Sequence, residues 1–317
     1  MKPWKLIIRY LSPGNERGKL LVFIFHRVLE TPDSLLASEP DATTFDWMIR
    51  FISSTFNVLP FGTAIERLKN CDLPAAAACI TFDDGYRDNY TVALPILQRY
   101  DVKATFFIAT GFLGGGRMWN DDVIEAVRSS CESIVDWSEF GLGSHDLSTL
   151  PARRQSLGVI IGQLKYFPHE KRTTIARQLA RQVGISDFSN LMMSCDEVRG
   201  LRAAGMEIGA HTRSHPILSG ITDEQAMAEI GGGKADLEAI LGEPVDVFAY
   251  PNGNPDHDLT ARDVQLIASV GFRAAATTAW GIATPQTDVF MIPRFTPWDR
   301  KKMLFSLRCA VTLSRSE

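Results

Sequence analysis

The sequence predicts an α/β fold in which strands are wrapped by helices, and one barrel with an insertion is the expected architecture. Two observations carry this. Short β-branched and aromatic runs alternate with longer helical patterns, as in strand–helix repeats and unlike a sandwich. At 317 residues the chain exceeds the usual single-domain size yet lies within the range of α/β barrels that carry insertions. With 45% hydrophobic and 22% charged residues, it has the composition of an ordinary globular protein with a large core.

The apolar runs predict strands at 20–25, 77–82, 104–109, 206–210, 245–250 and 272–277, with helices at 89–100, 196–204 and 223–241 between them. The last helix opens with Thr222 as N-cap and Gln225 three residues on, and Gly242 stops it. Its interior triplet Gly231-Gly232-Gly233 works against it, since each glycine costs about 1 kcal/mol relative to alanine. Lys234 follows the triplet, but neither the glycine spacing nor the residue after the lysine suits a phosphate-binding loop. Residues 111–193 read as a helical insertion within a single domain covering 1–317, and residues 3–11 as an amphipathic N-terminal helix.

Charge and cysteine usage narrow the setting. A formal net charge of -4 argues against nucleic acid as a partner, and no feature points to a specific protein partner. The five cysteines form no CxxC pair, and the apolar stretches at 6–8 and 20–25 are too short for a signal peptide or a membrane span. A cytoplasmic location is expected.

Two clusters carry the chemistry. Asp83 and Asp84 end the apolar run Ile80-Thr81-Phe82, and such close carboxylates call for a cation nearby. His211 and His215 follow the run at 206–210, four residues apart, where both can reach one ion if the chain curves. Alone, each has a bland reading as an Asp-Gly turn in water or as ordinary histidines. Together they gain weight, because a parallel barrel brings all strand C-termini to one face. Two histidines and one carboxylate leave positions open for water and substrate, and the spare carboxylate can serve as general base.

The motifs Thr81-Phe82-Asp83-Asp84-Gly85 and His211-Thr212-Arg213-Ser214-His215 resemble those of the polysaccharide deacetylases, also called the NodB-homology family or carbohydrate esterase family 4. The resemblance implies a distorted (β/α) barrel of about seven strands that removes an N-acyl group, acetyl or formyl, from an amino-sugar glycan. It makes Asp83 the base and Asp84, His211 and His215 the ligands of one divalent ion, zinc first, with cobalt, nickel or manganese as alternatives. The family's third motif normally opens with an arginine that pairs with the base. Here the corresponding stretch is Ala249-Tyr250-Pro251-Asn252-Gly253, so the arginine is absent. Asn252 still offers a backbone N–H to an oxyanion. Arg294, in Ile292-Pro293-Arg294-Phe295, is the candidate replacement. The leaving amine needs an acid. His26, which ends the run at 20–25, fits that role by likeness to the permuted subgroup of poly-N-acetylglucosamine deacetylases, with His257 as the alternative. A carbohydrate-binding pseudoenzyme and a non-heme iron(II) oxygenase stay open as rival readings.

Charge distribution adds one more expectation. Residues 151–183 carry Arg153, Arg154, Lys165, Lys171, Arg172, Arg177 and Arg181 against Glu170 alone, and Lys2, Lys5 and Arg9 lie opposite Trp4, Ile8 and Leu11 on the N-terminal helix. Both features suit peripheral contact with an anionic membrane at its inner face, with a lipid-linked sugar as substrate. The alternative is a solvated basic face and an N-terminal helix packed on the barrel.

Overall fold

The computed structural model describes residues 2–185 and 191–315. Among these are β1 (Leu20–Phe25), β2 (Asn57–Val58), β3 (Ala77–Phe82), β4 (Thr105–Ile108), β5 (Ile134–Asp136), β6 (Ser144–Asp146), β7 (Glu207–Ala210), β8 (Val247–Ala249), β9 (Ala274–Trp280) and β10 (Ile292–Arg294). The order β1-β3-β4-β7-β8-β9-β10 is parallel throughout, with β2 added beside β3. Phe295, just past β10, bridges back to Phe23 of β1, donating to the Val22 carbonyl at 2.7 Å and accepting from the Ile24 N–H at 3.0 Å. Seven strands thereby close into the distorted barrel expected from the sequence, with a register slip between β9 and β10.

Strands β1 and β3 are buried along their full length, as parallel strands covered on both faces must be. Alternation assigns each side chain to one face. Leu20 and Val22 of β1, Ala77 and Cys79 of β3, Ala249 of β8 and Ile292 of β10 share the interior cluster with Phe61, Ile65 and Leu68, so the helix Phe61–Lys69 plugs the barrel. That helix begins against the strands' N-terminal ends. Its Phe61 N–H donates to Thr105 Oγ1 at 2.9 Å and its Gly62 N–H to the Glu207 carboxylate at 3.0 Å, an acid at the positive end of a helix. Leu21, Phe23 and Phe25 face the other way, toward helices including Ala42–Thr55 and Lys302–Ser314.

The helix Asp223–Leu241 starts at the Thr222–Gln225 capping box and ends at Gly242 with φ 71°, as its sequence predicts. The stretch expected as one helix over 89–100 is instead a π-helical turn, Asn89–Ala93, followed by the α-helix Leu94–Arg99. Pro95 has no N–H to return to the preceding turn, so the regular ladder cannot run through it.

Residues 33–37 and 114–192 form one compact unit, and 1–32, 38–113 and 193–317 form another. In the smaller unit the helices Trp119–Ser129, Leu150–Lys165 and His169–Gln182 and the β5–β6 hairpin surround Val123, Val127, Ile160 and Leu179. Part of the basic charge at 151–183 serves this unit's own packing. Arg172 is 1% exposed and lies over the Trp119 ring, while Arg153 donates to the Val127 and Ser130 carbonyls at the end of the helix Trp119–Ser129.

The N-terminal helix spans Lys2–Leu11 and packs on the barrel. Ile8 is fully buried, and Trp4 and Leu11 are partly buried against the main core, so this stripe of the helix packs on the barrel. The Lys2 side chain lies outside the described residues.

Candidate active site

The parity that sends Ala77, Cys79 and Thr81 inward also carries Asp83 to the C-terminal mouth of the barrel. His211 continues the same series from Glu207 and Gly209. Past each strand the backbone turns sharply. Asp84 (φ 76°), Thr212 (φ 65°), His215 (φ 55°) and Asn252 (φ 58°) all adopt the left-handed region, a strain of about 1–3 kcal/mol for each non-glycine residue. Strain gathered at one mouth is characteristic of a site whose geometry is imposed by its surroundings.

The Nε2 atoms of His211 and His215 each lie 3.4 Å from Asp84 Oδ1, and the three possible ligand atoms fall within 4.8 Å of one another. The His211 Nδ1–H donates to the Ala249 carbonyl at 2.7 Å, and because a carbonyl only accepts, Nδ1 carries a proton and Nε2 is the nitrogen turned to Asp84, free to bind a cation when the ring is neutral. Asp84 Oδ1 is buried without a hydrogen-bond partner. Burial alone would raise the Asp84 pKa, but the two imidazoles hold it well below the usual carboxylate range. Burial would likewise lower the His211 pKa, and Asp84 and Asp83 reverse that to an increase. An orphaned carboxylate oxygen faced by two imidazole nitrogens is a donor set that fits a divalent cation.

Asp83 turns to Arg294. The guanidinium binds both carboxylate oxygens, Nη1 to Oδ1 at 2.8 Å and Nη2 to Oδ2 at 2.7 Å, and its Nε donates to the Thr277 carbonyl at 2.7 Å. Both side chains are almost fully buried. Burial pushes the Asp83 pKa up, and Arg294 followed by His211 and His26 brings it below its ordinary value.

His26 lies one residue past β1 and is half-buried, close enough to lower the pKa of both Asp83 and Asp84. Its carbonyl accepts from Asn89 Nδ2 at 2.9 Å, and the next two residues bind Asp88 through the Arg27 guanidinium at 2.8 Å and the Val28 N–H at 3.1 Å. His257 is exposed in the turn after β8, where its carbonyl accepts from Ser219 at 2.8 Å. Asn252 sits three residues beyond Ala249, and its carbonyl accepts from Thr278 Oγ1 at 2.7 Å.

The glycine triplet has a purpose that the sequence did not reveal. A Cβ at Gly233 would stand 2.9 Å from the Thr212 carbonyl group, and one at Gly232 would stand 2.6 Å from the Arg213 guanidinium. The same helix presents Glu229, which accepts from the N–H groups of Arg213 at 2.9 Å and Ser214 at 2.8 Å, and Asp236, which accepts from Arg213 Nε at 2.7 Å and Thr110 Oγ1 at 2.8 Å. Positions 229, 232, 233 and 236 form one helix face. That periodicity, running through a helix-weakening triplet, was the available signal for a helix pressed against a loop.

Fold and site together define a barrel protein with a carboxylate–histidine cluster at its strand ends. The sequence profile of the polysaccharide deacetylase family matches residues 71–138 and 167–275, and the chain belongs to that family. Asp83, Asp84, His211 and His215 lie inside the matched residues, whereas His26 and Arg294 lie outside them. The chain is 33% identical over 88 residues to a poly-beta-1,6-N-acetyl-D-glucosamine N-deacetylase of Staphylococcus aureus (strain MSSA476), covering 28% of this chain and 30% of that protein. It is 20% identical over 215 residues to YxkH of Bacillus subtilis (strain 168), covering 68% of this chain and 49% of that protein. The chain thus spans less than half the length of these two relatives. The structure of the Streptococcus pyogenes deacetylase PplD in complex with acetate superposes with a TM-score of 0.59 at 19% identity, covering 88% of this chain and 92% of that one. IcaB from Ammonifex degensii gives 0.59 at 17% identity, covering 95% and 98%. At these identities the two structures establish a shared fold.

Proposed function

We propose that the chain removes an N-acyl group, acetyl in the first instance, from an amino sugar of a polysaccharide or lipid-linked glycan. The observation that carries this reading is the meeting, at one mouth of the barrel, of the Asp84–His211–His215 cluster with the separate Asp83–Arg294 pair. In this reading Asp84, His211 and His215 hold a divalent ion, zinc or alternatively cobalt, nickel or manganese. Such an ion, when bound, would polarise the acyl carbonyl and lower the pKa of a water to about 7. Asp83, kept ionised and aligned by Arg294, accepts the proton of the attacking water. The Asn252 N–H is the candidate donor to the oxygen that gains charge. His26 delivers a proton to the amine as it leaves, because an unprotonated amine anion is expelled too slowly. A cytoplasmic setting at the inner face of a membrane, during assembly of a surface glycan, belongs to the same proposal.

The test is acetate release from a panel of acetylated amino-sugar oligomers and lipid-linked sugars, with each metal supplied in turn. Release that stops with a chelator is the expected result. A metal-loaded preparation that binds the glycans and releases nothing would leave a carbohydrate-binding protein in place of an enzyme.

A further inference from the structure

The helices Lys2–Leu11 and Lys302–Ser314 pack against each other on the outside of the barrel. The second turns Phe305, Cys309 and Leu313 into the core. Helical spacing then places Met303, Leu307 and Val311 on the opposite side at i, i+4 and i+8, with Leu304 beside them. These four are 76, 50, 43 and 49% exposed, and the neighbouring helix adds Leu6 at 71% and Tyr10 at 86%. Among the described residues, seven of the thirteen exposed large apolar side chains sit on these two helices, Ile7 being the seventh. A concentration of this kind marks an interaction surface, since isolated exposed apolar residues would be scattered.

Charge identifies what covers it. Neither helix contains an aspartate or glutamate, while Lys5, Arg9 and Lys302 stand exposed on them. Beside the C-terminal ends of both helices lies a groove of about 820 Å³, lined by the exposed Arg9 and Arg17 against the single acid Glu16, with Lys19 donating to the Leu313 carbonyl at 2.7 Å. A second copy of the chain would bring like charges together across an apolar contact. Lipid phosphates over an acyl layer would match both features, with aliphatic side chains and Tyr10 entering the interface and the cations meeting headgroups.

We infer that these two helices form a single face that docks on an anionic lipid bilayer. The inference is independent of the acyl-removal reading. It rests neither on the core-facing stripe of Trp4, Ile8 and Leu11 nor on the cations at 151–183, part of which are used in packing.

The experiment is sedimentation of the full chain with vesicles of phosphatidylcholine alone and of phosphatidylcholine with phosphatidylglycerol, at low and high salt. Binding is expected on the mixed vesicles only and should weaken with salt. Lys5→Ala and Arg9→Ala should each lower partitioning about fivefold. Leu307→Glu with Val311→Glu should abolish it, with circular dichroism and acetate release unchanged, because these side chains point away from the core and the site. Equal binding of the double variant, or equal binding to neutral vesicles, would overturn the inference. So would self-association that the double variant dissolves while the wild-type chain ignores vesicles, which would make a second copy the occupant.

Discussion

Arg294 closes on both carboxylate oxygens of Asp83, at 2.8 and 2.7 Å, across 211 residues of chain and from the strand that completes the barrel. The pair gives Asp83 a buried counter-charge from a strand far along the chain. Arg294→Lys keeps the charge but loses the planar two-point grip, so turnover is expected to fall with metal content unchanged. Arg294→Met leaves a buried, uncompensated carboxylate and should cost about 3–5 kcal/mol in urea unfolding. Near-normal stability of that variant would mean that Asp83 finds another partner or takes up a proton.

The two adjacent carboxylates should separate cleanly by experiment. Asp83→Asn is expected to keep its metal and lose on the order of 10²–10⁴ in turnover, the usual range for a general base. Asp84→Asn is expected to lose the metal itself. Metal analysis beside kinetics decides it, and the opposite pattern would exchange the two roles.

Removing the ion should lower both activity and thermal stability, because binding to the folded cluster shifts the folding equilibrium. Dialysis against a chelator followed by zinc, cobalt, nickel or manganese is the measurement. Full turnover in metal-free protein would end the hydrolytic scheme.

His26→Ala should depress turnover with the metal retained, and His257→Ala should leave it near normal, since His257 is exposed in the turn after β8. If only the His257 variant lost activity, the acid would have to reach the site from that turn.

Two glycine substitutions in one helix should carry opposite signs. Gly231→Ala meets nothing within 4 Å and gains helix propensity, so it should stabilise by up to about 1 kcal/mol. Gly233→Ala makes the same gain but sets its Cβ 2.9 Å from the Thr212 backbone, between two metal-ligand candidates, and should destabilise the chain and weaken metal binding. Unfolding curves and zinc affinity measured side by side check both.

Much of this protein was legible in one dimension, because its strands are short, continuous apolar runs and its reactive residues sit at their ends. The fold class, the strands at 20–25 and 77–82, the capped helix Asp223–Leu241 and the acid and histidine pairs all follow from local pattern. The glycine triplet read as a defect, because its meaning lies in the close approach of Thr212 and Arg213, which no local rule contains. Similarly, the apolar stripe of the N-terminal helix identified a surface to be covered, but only packing decided that the barrel covers Ile8 and leaves Leu6 and Tyr10 exposed. Sequence determines which side chains can bind a cation, carry a proton or leave water. The partner each one meets is decided by barrel closure, which brings Arg294 and Asp83 together at a distance along the chain that pattern cannot span.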